Sequence, residues 1–520
     1  MNKIQRALIS VSNKNEITNF ASELKGFDIE ILSTGGTARL LKDSGIKVTN
    51  VAEYIQSPEL LGGRVKTLHP KIHAGILAIR DNESHDEESK QHGIKQIDLV
   101  VVNLYPFEDV IKNDDVDLRE AIENIDIGGP TMLRAAAKNY KYVTVVVDQE
   151  DYKTFLNELK ENKGHISVQT NFKLALKAFS HVAGYDAAIS NYLSSINEDG
   201  KRTKFPSNLT LHFEKKMGLR YGENPHQDGA FYIEKGVDEP CISNSTQIQG
   251  KELSLNNIFD TDAAFETVKE FAETACVIVK HNNPCGVATA ENPLLAFTKA
   301  KECDPESSFG GIVAFNTEVD EATASELAGM FLEVVIAPSY TEGALSTLST
   351  KKNLRVMKTH PLNNSLKWGL DHKKVVGGLL VQDRDLSADE DFNNFKVETK
   401  RQPTDEEIQA LKFAWKVCKH VKSNAIIFAR DGQTIGIGAG QMSRIDSVKL
   451  ASTKANIPTD GAVLASDAFF PFRDGIDEAA KSGITAIVQP GGSIRDKETA
   501  EAAEEHGITM LFTGVRHFRH

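Results

Sequence analysis

Residues 98–104 read DLVVVNL, a run of apolar, mostly β-branched residues between an aspartate and an asparagine. A second run, YVTVVV, stands at 142–147, and shorter runs stand at 7–11 and 29–32. Helical patterns lie between them, as at 16–24. Continuous apolar runs are typical of parallel strands that are covered on both faces. They predict a doubly wound α/β sheet, whose site lies at the carboxyl ends of the strands.

Composition limits the classes of function. The chain has 520 residues, of which 40% are hydrophobic and 26% charged, as is typical of a soluble globular protein with two or more domains. The net charge of −13 disfavours nucleic acid and anionic membranes as partners. We expect no membrane span or signal peptide. The five cysteines lack a CxxC pair, which predicts reduced thiols and a cytoplasmic location.

A polar stretch with Gly and Pro, NEDGKRTKFPSN at 197–208, predicts a linker between domains at 1–198 and 199–520. A second polar stretch, 385–403, predicts a further division, and similar turn segments at 307–310 and 466–472 suggest a weak internal duplication. Thr404 and Glu407 match a capping box. Strands of the second domain are predicted at 275–280, 312–315, 334–337, 375–381, 425–428, 462–466, 484–488 and 508–512.

Two loops in adjacent βα units favour a phosphate site. The first strand ends in ISVSNK (9–14), which supplies hydroxyl groups and a lysine, and the next ends in STGGT (33–37). A glycine-containing turn into a helix offers free backbone N–H groups and the positive end of the helix dipole. STGGT alone is more typical of an ordinary capped turn than of a phosphate site. The pair of loops favours an anion site.

The segment LGGRVKTLHP (61–70) adds two closely spaced cations, Arg64 and Lys66, although a solvated basic loop is the alternative interpretation. His69 and His73 have helical spacing, but without a carboxylate ligand pattern they do not favour a metal pair.

Two further segments carry groups suited to proton transfer. NLYPF (103–107) leaves Tyr105 at the rim of a strand, where it is either a packed aromatic or a proton donor. DIGG (126–129) precedes Pro130, a favoured first helical residue. Asp126 could orient a base or hold a substrate amine, and Lys138 lies on the helix that follows.

Taken in order, these motifs resemble the inosine monophosphate (IMP) cyclohydrolase domain, whose fold is similar to that of methylglyoxal synthase. The resemblance covers nearly all of residues 1–195 and implies dehydrative ring closure of a formylated nucleotide, FAICAR, to IMP. It implies catalytic roles for Lys66, Tyr105, Asp126 and Lys138. It implies nucleotide binding by Ser10, Ser12, Lys14, Thr34, Gly35, Gly36, Thr37, Arg64, Thr67 and Asn103.

The second domain has a longer series of motifs, each of modest specificity alone; GIGAGQ is also typical of a glycine-rich turn, and AFFPF of a hydrophobic turn. They are LRYGENPHQ (219–227), KHNNPCG (280–286), SSFGG (307–311), SN (423–424), GIGAGQMSR (436–444), SDAFFPFRD (466–474) and VRHFRH (515–520). In order they resemble phosphoribosylaminoimidazolecarboxamide (AICAR) formyltransferase, whose domain has two halves similar to cytidine deaminase. The zinc pattern of the deaminases is absent, so no catalytic metal is expected.

This resemblance implies formyl transfer from 10-formyltetrahydrofolate to AICAR, giving FAICAR. Lys280, His281 and Asn424 would be catalytic, with His281 taking the proton of the attacking amine, Lys280 stabilising the tetrahedral intermediate and Asn424 orienting the formyl oxygen. Arg220, Tyr221, Gly310, Glu333 and Arg516 would bind the nucleotide, and Arg444, Phe469, Phe472, Asp474 and Ser493 the folate. Aromatic faces suit a pterin and an arginine suits its glutamate tail. The family also implies a homodimer.

Two other classes of protein share some of these features. An anion-sensing domain fused to an inactive deaminase-like scaffold would keep the phosphate loops, but it would not need Lys66, Tyr105 or Lys138. A zinc hydrolase would need the ligand pattern that is missing.

Overall fold

A computed structural model describes residues 1–113, 116–362, 367–386 and 388–520. It divides into two compact units, Met1–His212 and Phe213–His520. The predicted linker belongs to the first unit, because its backbone returns to the long helix before it. Thr203 N–H donates to the Ser195 carbonyl at 2.6 Å, and Thr210 N–H donates to Asn191 Oδ1 at 2.8 Å. The division therefore falls after His212, later than the expected one at 198.

A five-stranded parallel sheet forms the centre of the first unit, as the apolar runs predict. Its strands lie in the order Thr49–Asn50, Glu30–Ser33, Arg6–Val11, Leu99–Asn103 and Thr144–Val146. Asn2–Lys3 pairs separately with His165–Ile166. The α-helices among the described residues are Ile17–Lys25, Gly35–Asp43, Val51–Ile55, Pro70–Leu77, Glu83–Gln91, Phe107–Ile111, Leu118–Glu123, Gly128–Lys138, Glu150–Glu161 and Val168–Ser194, with a 3-10 turn at Leu61–Gly63.

Alternate residues of these strands enter two separate cores, one on each face of the sheet. Leu8 and Val100 pack in one cluster, whereas Ile9 and Val101 pack in the other. Burial on both faces explains why the strands are continuous apolar runs rather than alternating ones. It also leaves the carboxyl ends of the strands as the edge where polar loops collect.

A twelve-stranded mixed sheet forms the centre of the second unit. Its order is Thr246–Gln249, Arg355–Lys358, Val334–Ala337, Ile312–Phe315, Ala275–Lys280, Asn283–Thr289, Gln433–Gly438, Ile426–Arg430, Val463–Ser466, Ala486–Gln489, Thr509–Phe512 and Lys396–Val397. Two separate hairpins pair Glu214–Leu219 with Gly229–Ile233 and Leu370–Val375 with Gly378–Asp383. The α-helices among the described residues are Leu255–Val268, Pro293–Cys303, Pro305–Ser308, Glu321–Ala328, Glu342–Ser349, Asp405–Lys419, Arg444–Lys454, Asp474–Lys481 and Asp496–Glu505, with 3-10 turns at Ile242–Asn244 and Glu390–Asn393.

The strand order confirms the internal duplication. Each half has an antiparallel hairpin, then three strands that continue outward in parallel, and an antiparallel edge strand. The two hairpins meet at the centre, where Ala288 pairs with Gln433. A Cβ on Gly286 would lie 1.9 Å from the Ala300 carbonyl oxygen, and one on Gly436 would lie 2.2 Å from that of Ala451. Both halves therefore need glycine where a helix crosses the hairpin closely.

One strand prediction is wrong. Val375 ends the first strand of a hairpin, residues 376–377 form its turn, and residues 378–381 belong to its second strand, because Gly377 adopts a φ of 77° and reverses the chain. The second strands of the two central hairpins, Asn283–Thr289 and Gln433–Gly438, escape sequence prediction because glycines interrupt their apolar pattern. Where the structure describes helices, each is too short or too polar to span a membrane.

The capping box is confirmed at the start of the helix Asp405–Lys419. Glu407 N–H donates to Thr404 Oγ1 at 3.2 Å, and Thr404 N–H donates to Glu407 Oε2 at 2.9 Å. Leu411, Trp415 and Cys418 of this helix are buried in the core, as their spacing predicts.

Candidate functional site

Side chains at the carboxyl edge of the first sheet tie two predicted loops together. Asn103 Oδ1 accepts hydrogen bonds from the backbone N–H groups of Ser12 at 2.6 Å and Asn13 at 2.9 Å. Thr37 Oγ1 donates to the Val11 carbonyl at 3.0 Å. The end of the strand Arg6–Val11 is thus fixed against both the neighbouring strand Leu99–Asn103 and the helix that starts at Gly35.

Two lysines lie over the start of that helix. Lys66 Nζ lies 3.8 Å from the position of a Cβ on Gly35, and Lys14 Nζ lies 3.8 Å from that of a Cβ on Gly36. The first turn of a helix carries free N–H groups and partial positive charge. Two ammonium groups and a helix N-terminus at one point form an arrangement suited to a phosphate group. We call these residues, 14, 35, 36 and 66, the anion cradle.

Asp126 lies beside the anion cradle in a half-buried position. Burial raises the pKa of the Asp126 carboxyl, against the opposing effect of backbone N–H groups, including those of Gly129 and Tyr105, and of the Lys66 cation. Gly129 N–H donates to Asp126 Oδ1 at 2.8 Å. The carboxyl is therefore close to both a cation and the Tyr105 backbone, as a proton-transfer group in this site would need to be.

A cavity of about 500 Å³ opens next to these groups, and Ser12, Asn103 and Tyr105 are among its lining residues. The Tyr105 side chain is 42% exposed, so it lies at the rim and is not a packed core aromatic. Thr67 Oγ1 lies 2.8 Å from the position of a Cβ on Gly128, which places it at the start of the neighbouring helix.

Two residues predicted for the first site, Arg64 and Lys138, are not part of the anion cradle. Arg64 forms an exposed ion pair with Glu123. Lys138 is the last residue of the helix Gly128–Lys138, whose 11 residues begin at the site. At 1.5 Å per residue this helix carries the backbone of Lys138 about 15 Å away from Gly128, which lies two residues after Asp126. Lys138 and Asp126 therefore lie at opposite ends of this helix.

In the second unit, Lys280 and His281 lie at the tip of the first central hairpin. Lys280 pairs with Asn283, and the two residues between them adopt left-handed backbone conformations, with φ of 50° for His281 and 61° for Asn282. Lys280 Nζ donates to the Phe309 carbonyl at 2.9 Å and lies 3.0 Å from the position of a Cβ on Gly310. The predicted Lys280 and Gly310 are thus adjacent.

Asn283 joins this turn to the second half of the sheet. Its Oδ1 accepts a hydrogen bond from Lys422 N–H at 3.0 Å, and its Nδ2 donates to the His281 carbonyl at 3.2 Å. Asn424 follows two residues after Lys422. The two predicted motifs, KHNNPCG and SN, therefore meet where the two halves of the unit join.

The side chain of Asn424 is fully engaged. Its Nδ2 donates to the Gln441 carbonyl at 2.9 Å, and its Oδ1 accepts from Arg444 Nη2 at 2.7 Å. Arg444 also forms a buried ion pair with Asp467 and donates to Ser466 Oγ at 2.8 Å. The sequence suggests that Arg444 binds the glutamate tail of the folate. In the structure, protein groups occupy these guanidinium donors, and Arg444 binds Asn424 instead.

A second cavity, of about 520 Å³, opens at this point. Its lining includes these predicted residues: Asn424, Arg444, Phe469, Phe472, Asp474 and Arg516. Phe469 and Phe472 are 37% and 48% exposed, so their faces are accessible from the cavity. Ser493 is not among the lining residues. It begins a turn in which its N–H donates to Asp496 Oδ1 at 3.1 Å.

Three other residues predicted to bind the nucleotide, Glu333, Arg220 and Tyr221, have contacts outside the Lys280 turn. Glu333 forms an ion pair with Arg355 at 2.7 Å, and its N–H donates to the carbonyl of Gly311. Arg220 and Tyr221 follow the strand Glu214–Leu219 of a separate hairpin, with the guanidinium 5.8 Å from the ring centroid. Among the described residues, no hydrogen bond or ion pair given by the structure links them to Lys280.

Sequence reasoning missed His517, which anchors the tail that carries Arg516. His517 Nδ1 contacts Asp385 Oδ2 at 2.6 Å, Nε2 contacts Asp391 Oδ2 at 2.6 Å, and its N–H donates to the Asp467 carbonyl at 3.1 Å. Burial lowers the pKa of His517, but the two carboxylates outweigh burial and raise it to about 9. The motif VRHFRH was visible in the sequence, but its buried partners were not.

The described residues contain no group of three or more His, Cys, Asp or Glu side chains placed to hold a metal ion.

Comparison with known proteins gives matches to family models, to a curated relative and to a solved structure. The family model of the AICARFT/IMPCHase bienzyme matches residues 136–454, and that of the MGS-like domain matches residues 16–131. The Bifunctional purine biosynthesis protein PurH of Magnetococcus marinus (strain ATCC BAA-1437 / JCM 17883 / MC-1) is 52% identical over 533 residues, covering 100% of both chains. The crystal structure of ForH is 39% identical, with a TM-score of 0.33, and covers 36% of this chain and 97% of that one. The chain belongs to the AICARFT/IMPCHase bienzyme family.

Proposed function

We propose that the chain catalyses the last two steps of purine ring synthesis, formyl transfer to AICAR and ring closure of FAICAR to IMP. Family membership over the full length carries this proposal, and the two units each contain a separate cluster of suitable groups. The second unit performs formyl transfer and the first performs ring closure.

The formyl donor is 10-formyltetrahydrofolate, and the cavity bordered by Phe469 and Phe472 binds it. Exposed aromatic faces suit a flat pterin ring. Asn424 and Arg516 both line the same cavity, so donor and nucleotide can meet there.

In formyl transfer, the AICAR amine attacks the formyl carbon and the folate nitrogen leaves. The amine is conjugated with a carboxamide and is weakly nucleophilic, so a base must remove its proton. We assign this base to the exposed tip of the hairpin that carries Lys280 and His281. His281 removes the amine proton, the departing folate nitrogen takes up a proton as tetrahydrofolate leaves, and Lys280 stabilises the negative charge on the tetrahedral oxygen. Asn424, held by Arg444, limits the orientation of the formyl group.

In ring closure, the carboxamide nitrogen of FAICAR attacks its own formyl carbon and water is lost. The attack is intramolecular, so orientation supplies most of the rate. The anion cradle holds the phosphate. The Lys66 cation acts electrostatically on the Asp126 carboxyl, and we assign the proton movements to this pair, with Tyr105 at the rim as a proton relay.

The proposal extends to the setting of the enzyme. Its substrates are small phosphorylated nucleotides and a folate, without nucleic acid or membrane partners, in keeping with the net charge of −13. We propose a cytoplasmic homodimer with no catalytic metal. The position of Lys138, at the far end of its helix from Asp126, supports the dimer, in which this residue would act at the site of another copy.

The test measures both reactions by ultraviolet absorbance. The wild-type chain should convert AICAR and 10-formyltetrahydrofolate to IMP, and FAICAR alone to IMP. Lys280→Ala should abolish formyl transfer and leave FAICAR cyclisation intact, whereas Lys66→Ala should do the reverse. Lys481→Ala and Lys90→Ala, at exposed lysines paired with Glu478 and Asp86, are controls for each unit. Absence of IMP from the wild-type reaction, or loss of both activities in either folded site variant, contradicts the proposal.

A further inference from the structure

The turn that presents His281 is held by a carboxylate from the preceding helix. Asp260 lies in the helix Leu255–Val268. Its Oδ1 accepts a hydrogen bond from Asn282 N–H at 2.8 Å, and its Oδ2 accepts one from His281 N–H at 3.2 Å. One carboxylate thus receives both N–H groups at the tip of the hairpin.

The backbone of this tip lies in a region that glycine adopts most readily. His281 and Asn282 have φ of 50° and 61°, in the left-handed region, which Asn and His tolerate better than most residues but less readily than glycine. Such a turn usually contains glycine. Two consecutive non-glycine residues in this region persist where the surrounding structure holds them.

The duplicated half provides an internal comparison. The equivalent hairpin has the same pairing, Arg430 with Gln433, and the same irregularity in register. Its two turn residues are Asp431 and Gly432, with φ of 50° and 68°. Asp-Gly suits such a turn by itself. The hairpin with glycine lies away from the proposed chemistry, whereas the hairpin without glycine carries Lys280 and His281.

We propose that Asp260 is a positioning residue for formyl transfer, which holds the Lys280–Asn283 turn in its left-handed conformation so that His281 faces the nucleotide. This inference rests on the proposed function. A carboxylate suits the task because it has an acceptor for each of the two N–H groups and no donor to oppose them.

The turn is fixed from both sides. Asp260 holds His281 and Asn282 from the helix, and Asn283 joins the turn to Lys422 in the other half. Burial raises the pKa of the Asp260 carboxyl, while the two N–H groups, His281 and Lys280 act in the opposite direction. Glycine at 282 would relieve the left-handed backbone and make the carboxylate less necessary.

The experiment compares Asp260→Asn, Asn282→Gly and the double variant in the full chain. An asparagine at 260 keeps one acceptor and turns an NH2 group toward a backbone N–H. We expect Asp260→Asn to lower kcat of formyl transfer about 10- to 100-fold, because a small misplacement of a reacting group costs that much. The KM for AICAR should stay within about twofold, since the nucleotide contacts are unchanged. Cyclisation of FAICAR should be unaffected.

The rescue separates positioning from a general loss of folding. Asn282→Gly alone should keep near wild-type kcat, and in the double variant it should restore kcat about tenfold over Asp260→Asn. Asp320→Asn is the matched control, because Asp320 also accepts a backbone N–H, from Thr323 at 2.8 Å, at a helix start. Its kcat should match the wild type.

Three outcomes overturn the inference: kcat of Asp260→Asn within twofold of wild type, a loss expressed in KM alone, or no recovery in the double variant. Failure of the proposed function is recognised separately, because the wild-type chain then transfers no formyl group. In that case amide hydrogen exchange tests whether Asp260 holds the Lys280–Asn283 turn. The amides of His281 and Asn282 should exchange at least tenfold faster in Asp260→Asn than in wild type, and unchanged exchange rejects the role.

Discussion

Arg444 Nη2 donates to Asn424 Oδ1 at 2.7 Å, while Nη1 of the same guanidinium pairs with buried Asp467. The guanidinium side chain is only 5% exposed. Buried Arg444 therefore fixes the amide of Asn424 at the wall of the cavity that we assign to folate.

Replacement of Arg444 by methionine should impair formyl transfer and stability together. Loss of a hydrogen bond from a charged donor costs about 1.5–3 kcal/mol, which corresponds to a fall in kcat of about 10- to 100-fold. Asp467 would be left as an unpaired buried charge, at a further cost of about 3–5 kcal/mol in unfolding free energy. Paired Arg444→Met and Asp467→Asn changes should recover stability but not kcat. Recovery of kcat as well would mean that Asn424 does not need Arg444.

Lys138 should act on the site of another copy, if it acts in ring closure. It lies about 15 Å along the helix from the residues beside Asp126. Lys66→Ala and Lys138→Ala should each be inactive in cyclisation of FAICAR. After unfolding and refolding together, equal amounts should regain about a quarter of the wild-type activity, because half of the dimers then contain one intact site. No recovery, with mixed dimers shown by tagged subunits, contradicts a shared site.

His517 should make the second unit more stable at neutral than at alkaline pH. Its pKa is raised to about 9 in the folded state, so the charged form favours folding. The contribution, on the order of 3 kcal/mol, is fully present below the unfolded pKa near 6.5 and is lost as pH rises through 9. Differential scanning calorimetry from pH 6 to pH 10 should show a falling Tm for this unit. His517→Gln should start lower and fall less, and an identical slope in both proteins would exclude His517 as the source.

Lys14 should contribute chiefly to phosphate binding. Lys14→Met removes one of the two ammonium groups of the anion cradle, so the KM for FAICAR should rise about 10- to 100-fold with a smaller effect on kcat. Inorganic phosphate should inhibit the wild type competitively and the variant more weakly. Lys25→Met, at the other end of the neighbouring helix Ile17–Lys25, is the control. Equal inhibition of both variants by phosphate would place the anion elsewhere.

Helices and strands were predictable where the spacing of apolar and capping residues favoured one type of secondary structure. The buried runs around Val100 and Val145 are short and rich in β-branched residues, which favours two-sided strands, and the Thr404 capping box marked a helix start from four residues. The pattern failed at 375–381, where an apolar run conceals a turn at Gly377. It also failed for Asn283–Thr289, where close helix packing requires glycine and interrupts the apolar signal.

By itself the sequence determined the two-part organisation, the parallel sheet and the identity of most candidate groups, because these depend on local periodicity and on motifs of neighbouring residues. Tertiary structure alone decided which groups meet. Asp260 lies 21 residues from His281, and Asp391 lies 126 residues from His517. The tertiary structure also places Lys138 at the opposite end of its helix from Asp126, and it pairs Arg444 with Asn424. Such pairings depend on how elements pack, and a one-dimensional pattern records only the spacing within an element.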